Sequence, residues 1–183
     1  MRTLVAVIAL GVLAGCSTYS TNRYASSTHN AMLLAPLKGG QVQVGEFTSS
    51  VKNKKTGGDQ TEIMCRAVGP VRTPDGESFA DYIRNAMVDE MKVAEVYAPS
   101  APTVISGNLD AIDFSSGIGH WTMSLTLTSN NGKSMTMNEK YPYKISYWGQ
   151  TACFLTAQAF VPAVQDLVGK AVLSAEFNGL LAQ

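Results

Sequence analysis

Two segments in the middle of the chain alternate apolar and polar side chains, and this alternation is the strongest constraint on the fold. Over residues 121–127 the odd-numbered positions are Trp, Met and Leu, and the even-numbered positions are Thr and Ser. Over residues 135–147 the odd-numbered positions are again mostly apolar or aromatic. Successive side chains of a β-strand point to opposite faces. The two segments therefore predict two strands of a sheet that is covered on one side.

The shared parity of these segments also predicts how they pair. Both place odd-numbered residues on the buried face, so directly opposed residues must have numbers with an even sum. A two-residue turn at Asn131-Gly132 breaks this rule. A three-residue loop of Asn130, Asn131 and Gly132 obeys it, with Gly132 in the left-handed position of a bulged hairpin. The predicted pairs are Leu127 with Met135, Leu125 with Met137, and Trp121 with Tyr141.

Two helices and three earlier strands complete the predicted fold. Ser78 and Asp81 form a capping box before apolar residues that recur at 3.6-residue spacing. Residues 152–173 are apolar and rich in Ala and Val, and Pro162 should kink or split that helix. The earlier strands are expected over residues 41–47, 61–68 and 104–109. The chain thus predicts an α+β two-layer sandwich: a mainly antiparallel sheet of about five strands with two helices on one face, in the order β-β-α-β-β-β-α.

Charge and length limit the classes of partner. The chain has 183 residues, with 14 Lys and Arg balanced by 14 Asp and Glu, so its formal net charge is zero. A nucleic-acid-binding surface requires a clustered basic excess. Nucleic acid is therefore not an expected partner. The length is consistent with one domain.

The N-terminus carries a short apolar run that ends at a cysteine. After Arg2, residues 4–13 contain only aliphatic residues, Ala and Gly, and Ala14-Gly15-Cys16 follows. Ten helical residues span about 15 Å, roughly half of a bilayer's hydrocarbon core. A positive start, a short apolar core and small residues at its end are typical of a secretory signal peptide. We predict this signal peptide over residues 1–15.

The sequence Leu13-Ala14-Gly15-Cys16 closely resembles the lipobox of bacterial lipoproteins. The resemblance implies cleavage after Gly15 and attachment of fatty acyl chains, such as palmitate, to Cys16. Ser17 rather than Asp follows, which resembles an outer-membrane address with the domain facing the periplasm. Several acyl chains anchor a protein stably, whereas one does so only marginally. The expected membrane contact is therefore made through the N-terminal lipid.

The residues after Cys16 have the composition of a linker. From residue 17 to 30, nine of fourteen are Ser, Thr or Asn. Such a segment is expected to be flexible and unable to bury a core. The predicted organisation is a lipidated N-terminus and flexible tether over residues 16–40, followed by a single α+β domain over residues 41–183.

The order of elements behind a lipobox resembles the small Gram-negative lipoproteins of the YajG and ABC-transport auxiliary type. The Val-Ile-Ser-Gly-Asn-Leu strand at residues 104–109 is also similar to theirs. The resemblance covers most of residues 41–183. It implies a non-catalytic accessory protein that works with a protein partner in an envelope transport or assembly machine. It leaves the machine and the oligomeric state open.

The chain carries no recognisable enzyme or metal motif. His29 and His120 have no metal ligand at a suitable spacing, and no C-x-x-C motif is present, so we expect no catalytic residue, metal or cofactor. Glu139 occupies an odd-numbered position, where the other residues of its strand are apolar. It marks either a ligand contact or an end of the sheet. Two alternatives stay open: a small-molecule or lipid-binding module with a pocket near Trp121 and Tyr141, and an envelope hydrolase.

An aromatic run extends the last predicted strand beyond the usual length of about 5–6 residues. Core packing accounts for part of this run, and an exposed remainder would be a binding patch, since aromatic residues are favoured at interfaces. The candidate patch consists of Trp121, Tyr141, Tyr143, Tyr147 and Trp148.

The two remaining cysteines suggest a disulfide. With Cys16 used for lipid, Cys65 and Cys153 form an even pair in an exported protein, where disulfides persist. A bond between them would place the last helix over the second strand. The alternative is that both are reduced and act as small core residues.

Overall fold

The computed structural model describes residues 17–39, 42–54 and 56–182. Cys16 and the signal peptide predicted over residues 1–15 lie outside these ranges. The strands are β1 (Tyr19–Ser20), β2 (Val42–Ser49), β3 (Glu62–Cys65), β4 (Gly69–Arg72), β5 (Thr103–Ser115), β6 (His120–Ser129) and β7 (Ser134–Pro142). The α-helices are α1 (Thr28–Leu34), α2 (Phe79–Val93), α3 (Gly149–Gln158), α4 (Phe160–Leu173) and α5 (Ala175–Leu181).

The main sheet has the strand order β2-β5-β6-β7. The β6–β7 hairpin has the predicted register, with Leu127 opposite Met135 and Trp121 opposite Tyr141. Gly132 has a φ of +86°, as the three-residue loop requires. The prediction of this hairpin is confirmed. The β2–β5 pair is parallel, and the other two pairs are antiparallel.

A second sheet of three short strands, in the order β1-β4-β3, corrects the prediction of one sheet of about five strands. The strand predicted over residues 61–68 is in fact divided. Arg66 takes a left-handed conformation with φ of +51°, and the Val68 N–H donates to the Cys65 carbonyl at 3.2 Å. The chain therefore turns back as an antiparallel β3–β4 hairpin, which β1 joins in parallel.

Helices cover one face of the main sheet, so the coarse α+β layering is as predicted, but there are more than two of them. α2 packs on β2 and β5, while α4 and α5 pack on β6 and β7. The Ser78 hydroxyl accepts from the Asp81 N–H at 3.0 Å, which confirms the predicted cap. Pro162 falls in the first turn of α4, where its missing N–H leaves no helical bond unmade.

By length and composition, residues Gly149–Leu173 are apolar enough to cross a membrane. In the structure, however, 61% of their most apolar window is buried inside the domain. The chain bends at Ala159, between α3 and α4. These two helices serve as core helices of the fold.

Aromatic side chains fill the centre of the interface between sheet and helices. Trp121 of β6 is fully buried, and its ring centroid lies 4.8 Å from those of Phe114 and Phe160. The Trp121 indole N–H donates to the Thr156 carbonyl at 2.9 Å. A buried indole with its polar group satisfied is a core anchor.

Residues 17–39 are folded against the domain, which differs from the flexible tether predicted over residues 16–40. Leu34 of α1 is fully buried, and α1 packs on α2 and α4. The buried carboxylate of Glu90 in α2 accepts from the Tyr24 hydroxyl, the Ser27 N–H at 2.8 Å and the Asn30 amide at 3.2 Å. The tether was predicted because polar side chains are usually solvated. In this segment several of them are instead hydrogen-bonded to the protein.

Cys65 at the end of β3 and Cys153 in α3 form a disulfide, as predicted. Their Cα atoms are 5.8 Å apart, although 88 positions separate them in the chain. This distance is within the normal range for a disulfide. The bond attaches the second sheet to the helical layer, and α3 packs on β4 and β1 of that sheet.

Candidate binding surface

The five residues predicted as a binding patch occupy three different environments. Trp121 is in the core and contributes nothing to a surface, so its assignment is corrected. Tyr141 and Tyr143 are half-buried, and the Tyr143 hydroxyl shares a 2.8 Å hydrogen bond with the Thr156 hydroxyl. Burial raises the pKa of the Tyr143 hydroxyl. Only Tyr147 and Trp148 are largely exposed, at 96% and 77%.

We group Tyr147 and Trp148 with other exposed apolar residues of neighbouring segments and call this set the apolar end. The strand β7 stops at Pro142, and the chain then runs beside the β5–β6 turn. By this name we mean the exposed apolar side chains of Ile118, Ile145, Tyr147, Trp148 and Phe154; Met64 of β3 is also exposed and is not included.

Gly119 allows the loop after β7 to lie against the β5–β6 turn. Its φ is +81°, and a Cβ at this position would lie 2.4 Å from both Ile145 Cγ2 and the Tyr143 carbonyl oxygen. The Tyr143 N–H donates to the Gly119 carbonyl at 2.8 Å. A side chain at position 119 would separate the two segments. Ile118 and Ile145 are thereby held on the same end of the molecule.

Arg66 connects this turn to Tyr147. Its guanidinium donates to the Ser116 hydroxyl at 3.1 Å and to the Ser116 carbonyl at 3.0 Å. A third, longer bond of 3.4 Å reaches the Tyr147 carbonyl. The backbone beneath the apolar end is therefore fixed by a side chain from the β3–β4 turn.

The described chain enters the domain beside the apolar end. Backbone contact is close there, because a Cβ on Gly69 would lie 1.8 Å from the Ser17 carbonyl oxygen. A shallow groove of about 560 Å³ runs between this entry segment and α3. Its lining residues are Ser17, Thr18, Tyr19, Gln150, Thr151 and Phe154.

Three basic side chains lie at this end, and Glu62 lies directly opposite one of them, Arg72, in the β3–β4 hairpin. Arg66 lies under Tyr147, Lys144 precedes Ile145, and Arg72 donates to the Thr18 hydroxyl at 2.8 Å. Four described segments build the apolar end and the chain entry, and Glu62, Asp113 and Glu139 lie immediately outside them. These segments are residues 17–21, 63–73, 114–121 and 140–158.

Glu139 forms a separate polar cluster on the helix-covered face of the sheet. Its side chain is fully buried and accepts from Lys170 Nζ at 2.6 Å, while Lys170 also pairs with Asp166 at 3.0 Å. Burial raises the pKa of the Glu139 carboxyl, and the hydrogen bond to Glu139 raises the pKa of Lys170. The sheet continues to Pro142, so Glu139 does not mark its end.

A pocket was predicted near Trp121 and Tyr141, and the aromatic core fills the part at Trp121. At Tyr141, two grooves of about 380 and 360 Å³ lie between β7 and α4, and they share Tyr141 and Pro162. Asn30 and Lys170 line the larger one. Within the described ranges, no three His, Cys, Asp or Glu residues are grouped closely enough to hold a metal ion.

The sequence patterns missed three residues of this surface: Ile118, Phe154 and Arg66. A signal for Ile118 was present, because it is the one large apolar residue within the turn sequence Ser-Ser-Gly-Ile-Gly. Phe154 lies in an apolar helix where its exposure depends on the rotation of α3. Arg66 required knowledge of the β3–β4 turn.

Comparison with known proteins bears on the fold. No family model matches the sequence, and no curated protein matches it. The structure is similar to the crystal structure of protein XCC0632 from Xanthomonas campestris, of the DUF330 family, with a TM-score of 0.53 and 10% sequence identity. The similarity covers 89% of this chain and 99% of that one. At such low identity the two chains are similar in fold alone.

Proposed function

We propose that the chain is an outer-membrane lipoprotein whose domain faces the periplasm and acts as a non-catalytic accessory factor. Its work would be done with an envelope transport or assembly machine. The Cys65–Cys153 disulfide is the observation that carries the proposal, because disulfides persist in exported proteins and are rare in the cytosol. The resemblance of residues 13–16 to a lipobox supports the attachment of lipid at Cys16.

The start of the folded unit is compatible with a lipid anchor. Ser17 is partly exposed at the edge of the second sheet, and one peptide bond joins it to Cys16. Acyl chains on Cys16 would thus emerge at the surface of the domain. Lipid attachment there requires no buried residue to be released.

The outer face of the main sheet is suited to contact with a protein partner. The helices pack on the opposite face. The side chains of the outer face are short, polar and partly or fully exposed, as in Thr122, Thr126, Thr136 and Asn138. We assign the envelope-protein contact to this face.

Lipidation at Cys16 is tested by substitution. In cells fed a labelled fatty acid, we expect Cys16→Ala to accumulate as an unlabelled precursor that retains residues 1–15. Cys65→Ala and Cys153→Ala variants serve as controls, since both keep Cys16 and should be labelled and cleaved. Wild-type labelling of Cys16→Ala would contradict the proposed anchor.

The protein contact is tested by site-specific photocrosslinking in intact cells. A photoreactive residue at Thr136, on the outer face of the sheet, is expected to give one dominant adduct with an envelope protein. The matched control is Asn85, which is exposed on α2 in the helical layer. Equal adduct patterns at both positions, or none at Thr136, would remove this assignment.

A ligand-binding lipoprotein is the second candidate. The adjoining grooves at Tyr141 and Pro162 favour it, because together they could hold a small molecule between β7 and α4. Native mass spectrometry of the lipidated protein, extracted gently from its membrane, separates the candidates. An added mass beyond the protein and its acyl chains supports the ligand-binding role, and its absence supports the accessory role.

A further inference from the structure

Very little free chain separates Cys16 from the folded domain. Tyr19 pairs with Val71, and the Thr21 N–H donates to the Arg72 carbonyl at 2.8 Å. Three Cα-to-Cα steps join Cys16 to Tyr19, and even a fully extended chain spans only about 11 Å over that distance. Acyl chains on Cys16 would therefore keep this end of the domain next to the bilayer.

The apolar end lies beside the point where this short linker leaves the fold. Phe154 and Ser17 line the same groove, and Gly149 follows Trp148 directly and contacts Val68. The side chains of the apolar end are between 51% and 96% exposed, so the folded chain itself does not cover them. A cluster of this kind marks a surface that another body covers.

The chemistry of this cluster fits a lipid surface. Tyr147 and Trp148 belong to the two residue types that concentrate at the headgroup level of membranes. Ile118, Ile145 and Phe154 can enter the boundary between headgroups and acyl chains, as apolar side chains of interfacial proteins do. Arg66 and Lys144 supply positive charge, which anionic headgroups attract, whereas Arg72 has Glu62 directly opposite it.

We infer that the apolar end rests on the bilayer surface that holds Cys16, so that the domain has a fixed orientation on the membrane. This inference depends on the lipidation proposed above. A protein partner or a second copy could also cover an apolar surface. The bilayer is favoured because the linker of at most about 11 Å brings lipid to this end in every arrangement of the chain.

Trp148 provides a selective probe of this contact. The chain contains two tryptophans, and Trp121 is fully buried. The lipidated protein, with its acyl chains verified by mass, is reconstituted into phosphatidylethanolamine–phosphatidylglycerol vesicles with and without brominated acyl chains. We expect brominated lipid to remove most of the Trp148 emission. In Trp148→Phe the remaining Trp121 emission should be insensitive to bromine.

A substitution within the apolar end and a matched control complete the test. Tyr147→Asp should reduce the quenching of Trp148, whereas Met32→Asp should not, although Met32 is also 74% exposed. Both variants replace an exposed apolar side chain by the same acid, and thermal unfolding verifies that they fold.

Two outcomes would overturn the inference while leaving the proposed anchor intact. Lipid-bearing protein whose Trp148 is not quenched would show that the apolar end points away from the bilayer. A blue-shifted Trp148 emission without quenching would show that a protein or a second copy covers it. A mass spectrum without acyl chains would instead overturn the proposed lipidation, and this inference with it.

Discussion

Glu139 shows how one residue can depart from an otherwise consistent pattern. It occupies an apolar position of β7, directly opposite Met123, and its side chain is fully buried. Lys170 satisfies one carboxylate oxygen, but Glu139 Oε1 has no hydrogen-bond partner among the described residues. Burial therefore outweighs the attraction of Lys170, and the pKa of Glu139 stands above its usual value of 4.5. Such a group destabilises the fold when it is ionised.

The raised pKa predicts a pH-dependent effect of Glu139→Gln. A carboxyl whose pKa is higher in the folded chain contributes stability below its unfolded pKa, and that contribution is lost as pH rises through the folded pKa. We expect the free energy of unfolding of Glu139→Gln to increase relative to wild type as pH rises from 4.5. Urea unfolding at a series of pH values measures this difference.

Asp166→Asn is the control for this measurement, because it removes the more exposed acid that pairs with Lys170. Because this variant keeps the buried Glu139, its stability should still fall as pH rises through the raised pKa of that carboxyl. A Glu139→Gln stability curve parallel to that of wild type would mean that burial does not raise the pKa of Glu139.

At the scale of elements, the attachment of the segment before β2 to the domain depends on Glu90 of α2. Three donors from residues 24–30 meet its carboxylate, which is fully buried in α2. The Asn30 amide also donates to the Gln165 carbonyl of α4 at 2.8 Å. One acidic side chain thus links the N-terminal segment to the helical layer. This attachment keeps the linker to Cys16 short.

Removal of this carboxylate should release the N-terminal segment. We expect Glu90→Ala to lower the stability of the fold by about 2–3 kcal/mol, since three donors would lose their shared acceptor and the Asn30 amide among them is buried. Amide hydrogen exchange should become faster over residues 22–34. Asp89→Ala removes the same charge one position earlier and should leave this exchange nearly unchanged. Equal protection in Glu90→Ala and wild type would contradict the role of Glu90.

At the scale of the whole molecule, the disulfide adds a covalent link between two parts that also pack on each other, the second sheet and the helical layer. It connects the small second sheet, which includes the entry segment, to α3, which begins directly after Trp148. The disulfide therefore connects the two elements beside the apolar end, the second sheet and α3. The bond closes a loop of about 90 residues, for which chain entropy predicts a large stabilisation.

We expect Cys65→Ser combined with Cys153→Ser to lower the free energy of unfolding by about 2–4 kcal/mol. Urea unfolding of wild type with and without a reductant provides the comparison. Reduced wild type should approach the double variant, and the double variant should not respond to the reductant. If the free energy of unfolding of wild type were the same with and without reductant, the bond would add no stability.

Local pattern accounted for the parts of the fold in which interacting residues are close in sequence. The β6–β7 register followed from side-chain parity, because a shift of one residue would expose the whole apolar face. The cap at Ser78 and the break near Pro162 followed from backbone hydrogen bonding within a few residues. Glu139 was visible as an anomaly, although its partner Lys170 was not.

The sequence by itself determined the β6–β7 hairpin, the cap of α2 and the coarse α+β layering, because periodicity and residue chemistry are local properties. Only the tertiary structure decided the second sheet, the folding of residues 17–39 and the composition of the apolar end. Each of these depends on contacts between distant positions, such as Glu90 with Ser27 or Arg66 with Ser116. The exposure of a side chain also depends on such contacts. Trp121 and Trp148 are the same residue type, but tertiary packing buries the first and leaves the second at the surface.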